Sequence, residues 1–394
     1  MRNKLLLSIA FAVFFYVNFT FAGDPHFLYK NWYDERKAGL LKEDVTSIVI
    51  TNDPSVYKEA AMIADGSLVL LDDEEKIIDD SIDESNLTVE SYENNSYRAN
   101  EKTNLPYWDI DGRGLIAFVR DESQVVICFP EENELRFGNS AEGCFSFCKY
   151  IENEDYELDE YDEIKRNVRP ESEIDNEFFG TDLVSKLEYI EGFELIKTSG
   201  TTDMSRLFYG DLNLEQVNLS FLDTRNVTDM SHMFENCFHL LNIDVTTFNV
   251  GSVNNMNSMF KSCRQLRSLD FSFWDTSSVK NMSHMLSDCV NLKSINFGTF
   301  NTSAVETMSH MFYNCKNLTS LDLSFLRTKQ LKSARSMLEE CSSLKVLSLS
   351  MRLGRFGKDL KLNGIWKNMS DGKVYNLNLD ENVNFNTGLY FRLS

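Results

Sequence analysis

Histidine and cysteine, the side chains that most often bind zinc, recur in this sequence at a fixed interval of 26 residues. One position of the interval holds His232, His284 and His310, and another holds five of the eight cysteines. Zinc needs its ligands at about 2 Å from one ion, and the pattern predicts helices that would hold neighbouring histidines apart. The copies without histidine carry Arg206, Ser258 and Ser336 at that position. We therefore expect no metal site and no cofactor.

The recurring residues belong to a repeat array. A pattern of eight residues occurs six times, at residues 204–211, 230–237, 256–263, 282–289, 308–315 and 334–341. Residues 266–271 end in the alternation of a strand, and the apolar residues of 279–289 are spaced like one face of a helix. The sequence thus predicts an α/β solenoid, a leucine-rich-repeat-like array of 26-residue strand–turn–short-helix rungs. A β-rich N-terminal region and a small C-terminal cap would flank it.

The predicted strands carry one polar position that faces outward in every copy. Stacked strands lie about 4.8 Å apart, so these side chains should form a ladder on one face of the array. Asparagines between the carboxylates would relieve their repulsion. The ladder is open to two interpretations, a solvated sheet face or the partner-binding surface of a repeat protein. The residues of this candidate partner-binding strand face are Asn218, Asp244, Asp270, Asn296 and Asp322.

The net charge of the 394-residue chain is −22, and it is distributed unevenly. Residues 200–350 contain 13 Lys and Arg against 14 Asp and Glu, so the array is nearly neutral and the acidity lies mostly before it. A chain this acidic repels phosphate groups. We therefore expect no nucleic-acid partner and no docking on anionic lipid.

The N-terminus has the features of a secretory signal peptide over residues 1–22. Arg2 and Lys4 precede an apolar run at residues 5–15, and the small residue Ala22 offers a cleavage site. The run is short for a membrane span, although an uncleaved anchor is the alternative. We predict a secreted or cell-surface protein, cleaved near Ala22, with no integral membrane span in its mature form.

Export raises the question of disulfide bonding. On stacked helices, neighbouring copies of the cysteine position would lie roughly 8–10 Å apart, whereas a disulfide needs Cα atoms closer than about 7 Å. We predict five buried, reduced thiols that pack as small apolar side chains. Outside the array, Cys144 and Cys148 are spaced to share a helix face, and either could instead pair with Cys128. The five array cysteines are Cys237, Cys263, Cys289, Cys315 and Cys341.

The N-terminal region, residues 23–150, is acidic and rich in predicted strands. Strand patterns occur at residues 44–51, 67–71 and 135–137, and residues 114–120 with 124–129 predict a hairpin. Residues 81–103 predict an exposed loop. Residues 141–150 predict a short helix that resembles the second half of a repeat.

The remaining boundaries follow from composition. Residues 151–182 form an acidic loop or linker, in which the run at 152–163 could alternatively bind a cation, but it lacks the pattern of an EF-hand. Residues 183–350 form the array, with a degenerate first rung at 187–198. Residues 351–394 form the C-terminal cap, with a turn at Asp371–Gly372.

The repeats resemble the BspA-like leucine-rich-repeat surface proteins, a bacterial group with 26-residue repeats also described as a domain of unknown function. The resemblance is carried by residues 223–237 and their copies at 275–289 and 301–315. Residues 366–390 resemble the segment that closes such arrays, and residues 108–137 resemble a strand-rich lead-in. The chain has no lipobox cysteine and no wall-sorting motif. The resemblance implies an exported, non-enzymatic protein that contacts host or neighbouring cells.

We therefore expect a surface or secreted interaction module, possible roles being an adhesin or a host-contact factor. Its partner would be a protein or glycan on host or neighbouring cells. One alternative is an exported enzyme with carboxylate chemistry in residues 23–190 and the array as a targeting surface. That region lacks a nucleophile elbow and a phosphate loop, and its only histidine is His26. Another alternative is an exported protein with a structural role in the cell envelope and no ligand.

Overall fold

The computed structural model describes most of the array and parts of both flanking regions. The residues described are 26–28, 45–57, 60, 68–69, 77–78, 96–99, 106–109, 116–120, 124–129, 134–137, 139–142, 144–146, 187–298, 300–327, 329–350, 356, 359–377 and 385–393. The strands are β1 His26–Leu28, β2 Ser47–Thr51, β3 Leu68–Val69, β4 Ile77–Ile78, β5 Ser96–Ala99, β6 Pro106–Asp109, β7 Ile116–Arg120, β8 Gln124–Cys128, β9 Leu135–Phe137, β10 Tyr189–Glu191, β11 Ile196–Lys197, β12 Ser268–Asp270, β13 Ser294–Asn296, β14 Ser320–Leu323, β15 Val346–Leu349, β16 Ile365–Asn368, β17 Val374–Asn376 and β18 Gly388–Arg392. A 3₁₀ helix spans Phe193–Leu195.

Two sheets join the N-terminal region to the start of the array. The larger has the order β10-β2-β8-β7-β6-β5, and the smaller has the order β1-β9-β11. The predicted hairpin is confirmed, because β7 and β8 pair antiparallel with Arg120 opposite Gln124. The strands predicted at residues 44–51 and 135–137 are confirmed as β2 and β9. Strands β10 and β11 come from the predicted first rung, so that rung pairs with the N-terminal region.

Two predictions for the N-terminal region are wrong. The loop predicted at residues 81–103 contains β5, which pairs antiparallel with β6. The helix predicted at 141–150 is turn and irregular backbone wherever it is described. Its amides bond to the first repeat copy instead, Ala141 N to Asp203 O at 2.8 Å and Phe145 N to Leu207 O at 3.0 Å. The stretch therefore stacks on the array as the second half of a repeat, as its sequence suggested.

The second half of each repeat is a run of tight turns. In residues 230–237, His232 and Asn236 have φ of 59° and 66°, the left-handed region that Asn, Asp and His enter more readily than other side chains. The N–H of Glu235 bonds to the carbonyl of His232 at 3.1 Å, which closes one turn. No described residue between 200 and 350 is helical. The predicted short helix is therefore wrong, because a helix cannot continue through left-handed residues.

Hydrogen bonds between copies hold these turns together. The N–H of Met230 bonds to Asn255 O at 3.0 Å, and the N–H of Phe234 bonds to Met259 O at 2.9 Å. The same bonds recur in the following copies, for example from Met256 to Asn281 O at 2.9 Å. Alternate amides thus bond to the next copy while the others close local turns, which satisfies the buried backbone.

Apolar side chains stack in columns inside the array. Phe208, Phe234 and Phe260 lie ring on ring, with centroids 5.3 and 5.4 Å apart, and Phe145 extends the column below Phe208 at 5.9 Å. The methionine positions are fully buried as well. A buried threonine connects the outer corners of several neighbouring copies, as where Thr276 donates to Asn301 O at 3.0 Å and accepts the Asn301 N–H at 2.8 Å. Val250 occupies this position in one copy. Each copy therefore completes its core only against its neighbours.

Strands in the first half of the repeat are formed only in the later copies. Strand β12 pairs with β13 and β14 pairs with β15, both parallel. The strand predicted around Asn218 and Asp244 is not formed, although that backbone also bonds between copies, Leu241 N to Glu215 O at 3.0 Å. Strand β18 returns antiparallel onto β15 and pairs with β16, which pairs with β17. The turn predicted at Asp371–Gly372 is present, with Gly372 at φ 71°.

Candidate binding face

The five residues of the predicted ladder are all exposed in the structure. Asp270 on β12 lies opposite Asn296 on β13 in register, and Asp322 lies on β14. Asn218 and Asp244 occupy the same position in the two preceding copies. We call this set the ladder face. Its side chains are presented by backbone whose inward neighbours, such as Leu269 and Leu321, are buried.

Each ladder side chain also shapes the backbone that follows it. An oxygen of the side chain accepts the N–H of the residue two positions later, which is the Asx-turn that Asn and Asp form. The requirement for an acceptor at this position explains why all five copies carry Asn or Asp. The sequence had not indicated this role in the backbone turn. The bonds are Ser220 N to Asn218 at 3.1 Å, Thr246 N to Asp244 at 2.9 Å, Ser272 N to Asp270 at 2.8 Å, Gly298 N to Asn296 at 3.2 Å and Ser324 N to Asp322 at 2.9 Å.

The same bonds favour the charged form of two of the ladder carboxylates. Hydrogen bonds from the Thr246 hydroxyl and N–H lower the pKa of Asp244, against smaller opposing effects of burial and of Asp270. Bonds from the side chain and N–H of Ser272 lower the pKa of Asp270 in the same way. Both carboxylates are therefore ionised at neutral pH. The ladder face offers an oxygen acceptor in every copy and a carboxylate in three of the five, at Asp244, Asp270 and Asp322.

The histidine position lies on another side of the array and has a conformational role. His232, His284 and His310 have φ of 59°, 55° and 56°, and His is among the residues that accept this conformation. The rings of His284 and His310 stack with centroids 4.6 Å apart. The expectation that neighbouring histidines lie far apart is therefore wrong, because it assumed helices. Within the residues described, no cluster of three or more metal-ligand side chains occurs.

A buried ion network lies beside this histidine position, and the sequence analysis did not find it. The Glu235 carboxylate contacts Nδ1 of His232 and lies 2.6 Å from Nζ of Lys261 in the next copy. Burial alone would raise the pKa of Glu235, but the charge of Lys261 and the bonds from His232 and Lys261 hold it well below its usual range. Glu235 and Lys261 occupy the same position in adjacent copies. Their opposite charges at this spacing were the feature of the sequence that could have predicted the pair.

The cysteines of the array are buried, as predicted, and each has a hydrogen-bond partner. The thiol of Cys237 lies 3.1 Å from Phe208 O, and that of Cys263 lies 3.2 Å from Phe234 O. The same contact recurs at Cys289, Cys315 and Cys341. Burial raises the thiol pKa, to about 12 at Cys341. The predicted distance between neighbouring cysteines assumed stacked helices, which the described residues of the array do not form. The prediction that these thiols are reduced therefore depends on their burial and their hydrogen bonds instead.

Several predictions fall on residues outside those described. These include the signal peptide at 1–22, the acidic linker at 151–182, Cys148, and most of the region 23–190 in which an enzyme's carboxylates would lie. In the part of the chain that the structure does describe, no helix is long and apolar enough to span a membrane.

Comparison with known proteins bears on the array. Two overlapping stretches match one family. Residues 179–271 and 239–350 each fit the family described as "Mycoplasma protein of unknown function, DUF285". The two matches together cover the array and neither flanking region. Neither a curated protein nor a solved structure matches the chain.

Proposed function

We propose that this chain is an exported, non-enzymatic repeat protein that binds other molecules through the ladder face. It would be secreted or held at the cell surface and would act as an adhesin or host-contact factor. The observation that carries the proposal is the ladder itself, because five exposed side chains, two amides and three carboxylates, stand in the same place in successive copies. A surface that repeats on hydrogen-bonded copies is preorganised for binding.

The arrangement of the array supports a solenoid. Backbone bonds such as Met230 N to Asn255 O link each copy to the next one along the chain, and the aromatic column shows that their cores are shared. Solenoids bind partners over extended faces, because neighbouring copies supply contacts in a row. The match of residues 179–350 to a repeat family without assigned function is consistent with a binding role and names no ligand.

The test is binding of the purified protein to arrays of extracellular-matrix proteins and glycans, with a heat-unfolded sample as the control for adhesion of exposed apolar surface. We expect retention of the folded protein on at least one matrix protein or glycan. Retention on none of them would contradict the proposal. Fractionation of the producing cells should place the protein in the medium or on the outer surface, and recovery only from the cell interior would count against export.

A further inference from the structure

An aromatic row borders the ladder face. After each ladder residue the chain makes a tight turn, closed by bonds such as Trp274 N to Phe271 O at 3.0 Å. The third residue of this turn is Phe221 in one copy and Phe273 two copies later, and their exposed fractions are 53% and 75%. Phe325, two copies further, is half-buried against Phe297, with ring centroids 5.1 Å apart. The intervening copies carry threonine at this position, Thr247 and Thr299.

Phe273 is the most exposed large apolar side chain among the described residues. Its alignment with Phe221 and Phe325 along one edge favours an interaction site, which isolated apolar residues on a surface would not. Two copies of the array span roughly 10 Å at a strand spacing of about 4.8 Å. The rings therefore recur at a regular interval along one edge of the face. A ligand that repeats at the same interval can contact every ring, whereas a folded protein surface has no reason to match this spacing.

The neighbouring ladder residues define the rest of the ligand's chemistry. Asn218, Asp270 and Asp322 stand in the same copies as the three phenylalanines, three residues earlier in each case. Each side chain accepts a backbone N–H through one oxygen. The carboxylates of Asp270 and Asp322 have a second oxygen that can accept from a ligand, whereas the amide of Asn218 can donate through its NH₂ group. Such a site suits a ligand with flat apolar ring faces and many hydroxyl donors. Aromatic platforms also stack nucleic-acid bases, but the carboxylates of the ladder repel phosphate.

We propose that the aromatic row and the ladder face together bind an extended neutral glycan. This inference rests on the proposed function and specifies its partner class. The apolar faces of alternate sugar rings would lie on Phe221 and Phe273, and sugar hydroxyls would donate to the oxygens of Asp244 and Asp270. A β-1,4-linked chain presents the same ring face at every second sugar, which is the periodicity that the row requires.

The experiment uses the full protein and calorimetric titration with β-1,4-linked glucose and N-acetylglucosamine oligosaccharides, from disaccharide to hexasaccharide, with heparin as an anionic polymer. Affinity should rise with length for the neutral series, and heparin should not bind. Phe273→Ala should lower the hexasaccharide affinity by about tenfold, and Phe273→Trp should retain it. Tyr189→Ala, which removes a ring that is 45% exposed on β10 and lies outside the row, is the control and should change the affinity little.

Other outcomes would overturn the inference. If no neutral oligosaccharide binds while a matrix protein does, and Phe273→Ala weakens that complex, then the row is a protein-docking site and the proposed function stands. If Phe273→Ala converts a dimer to a monomer in sedimentation, the row is covered by a second copy. If neither glycans nor proteins bind, the inference and the proposed function both fail.

Discussion

Gly210 and Asn236 occupy the same place in neighbouring copies, and both adopt the left-handed backbone conformation, with φ of 77° and 66°. Ser262, Asp288, Asn314 and Glu340 continue the position with φ between 59° and 62°. The repeat therefore needs a left-handed residue at this point in every copy. Glycine meets that requirement without strain, whereas other residues meet it at a cost of about 1–2 kcal/mol.

Substitution at Glu340 tests this backbone directly, because the side chain is exposed and φ is 62°. We expect Glu340→Gly to be more stable than Glu340→Ala by about 1 kcal/mol, measured as the difference in urea unfolding midpoints. Both variants remove the carboxylate, so the comparison isolates the backbone. If the segment were helical, glycine would instead be the less stable of the two by about 1 kcal/mol. The sign alone decides between turns and helix.

Because neighbouring copies share one core, a destabilising substitution in one copy should also destabilise the copies on either side. Met285 is fully buried, and Met285→Asp would bury an unpaired carboxylate at a cost of about 4 kcal/mol or more. Met285→Leu conserves volume and should cost less than about 1.5 kcal/mol. Hydrogen exchange in Met285→Asp should accelerate in the adjacent copies, at residues 256–263 and 308–315. Acceleration confined to residues 282–289 would show that the copies are independent.

The buried pair of Glu235 and Lys261 predicts a double-mutant cycle with strong coupling. Glu235→Gln leaves the Lys261 ammonium without its carboxylate and should cost about 3–5 kcal/mol in the free energy of unfolding. Adding Lys261→Met should recover most of that loss, because the corresponding positions in later copies, Ser287 and Tyr313, carry no such pair. Additive losses would show that the two side chains do not interact.

The pH dependence of the same pair follows from the lowered pKa of Glu235. A carboxylate whose pKa is depressed by folding stabilises the protein above its unfolded pKa of about 4.3, and that contribution is lost as the pH falls. Between pH 7 and about pH 3, the wild type should therefore lose more stability than the Glu235→Gln, Lys261→Met variant. Equal losses in thermal midpoint would indicate that the carboxylate is not held ionised.

The sequence predicted those elements that follow from a local pattern or from the repeat interval. Alternation identified β2 and the β7–β8 hairpin, and the 26-residue interval aligned all five ladder residues. The prediction of a helix was wrong because a spacing of three residues, as between Met282 and Met285, places side chains on the same side both in a helix and in a run of tight turns. The glycine at position 210 and the asparagines at 236 and 314 were the signal against a helix.

Other features depend on the conformation of the turns in the folded chain. The ladder was found as a row of exposed side chains, and a turn was predicted after each strand. The bond from the Ser272 N–H to Asp270 depends on the conformation of that turn, which the sequence pattern did not specify. The sequence does show that Phe221 and Phe273 occupy the same position two copies apart, and this recurrence could have been noticed. Their exposure, in contrast to the burial of Trp274 beside them, follows only from the folded turn.

The ladder face is tested most directly by removing its charge without altering its turns. Asn218 and Asn296 show that asparagine supplies the backbone acceptor at this position. The variant with Asp244→Asn, Asp270→Asn and Asp322→Asn should therefore keep the wild-type unfolding midpoint. Asp275→Asn is the matched control, because Asp275 accepts the Ser277 N–H at 3.1 Å in a similar turn outside the ladder.

The deciding measurement is retention of these proteins on arrays of matrix proteins and glycans. Our account predicts that the triple variant loses most of the binding shown by the wild type, and that Asp275→Asn retains it. Equal retention of the triple variant and the wild type would contradict the assignment of binding to the ladder face.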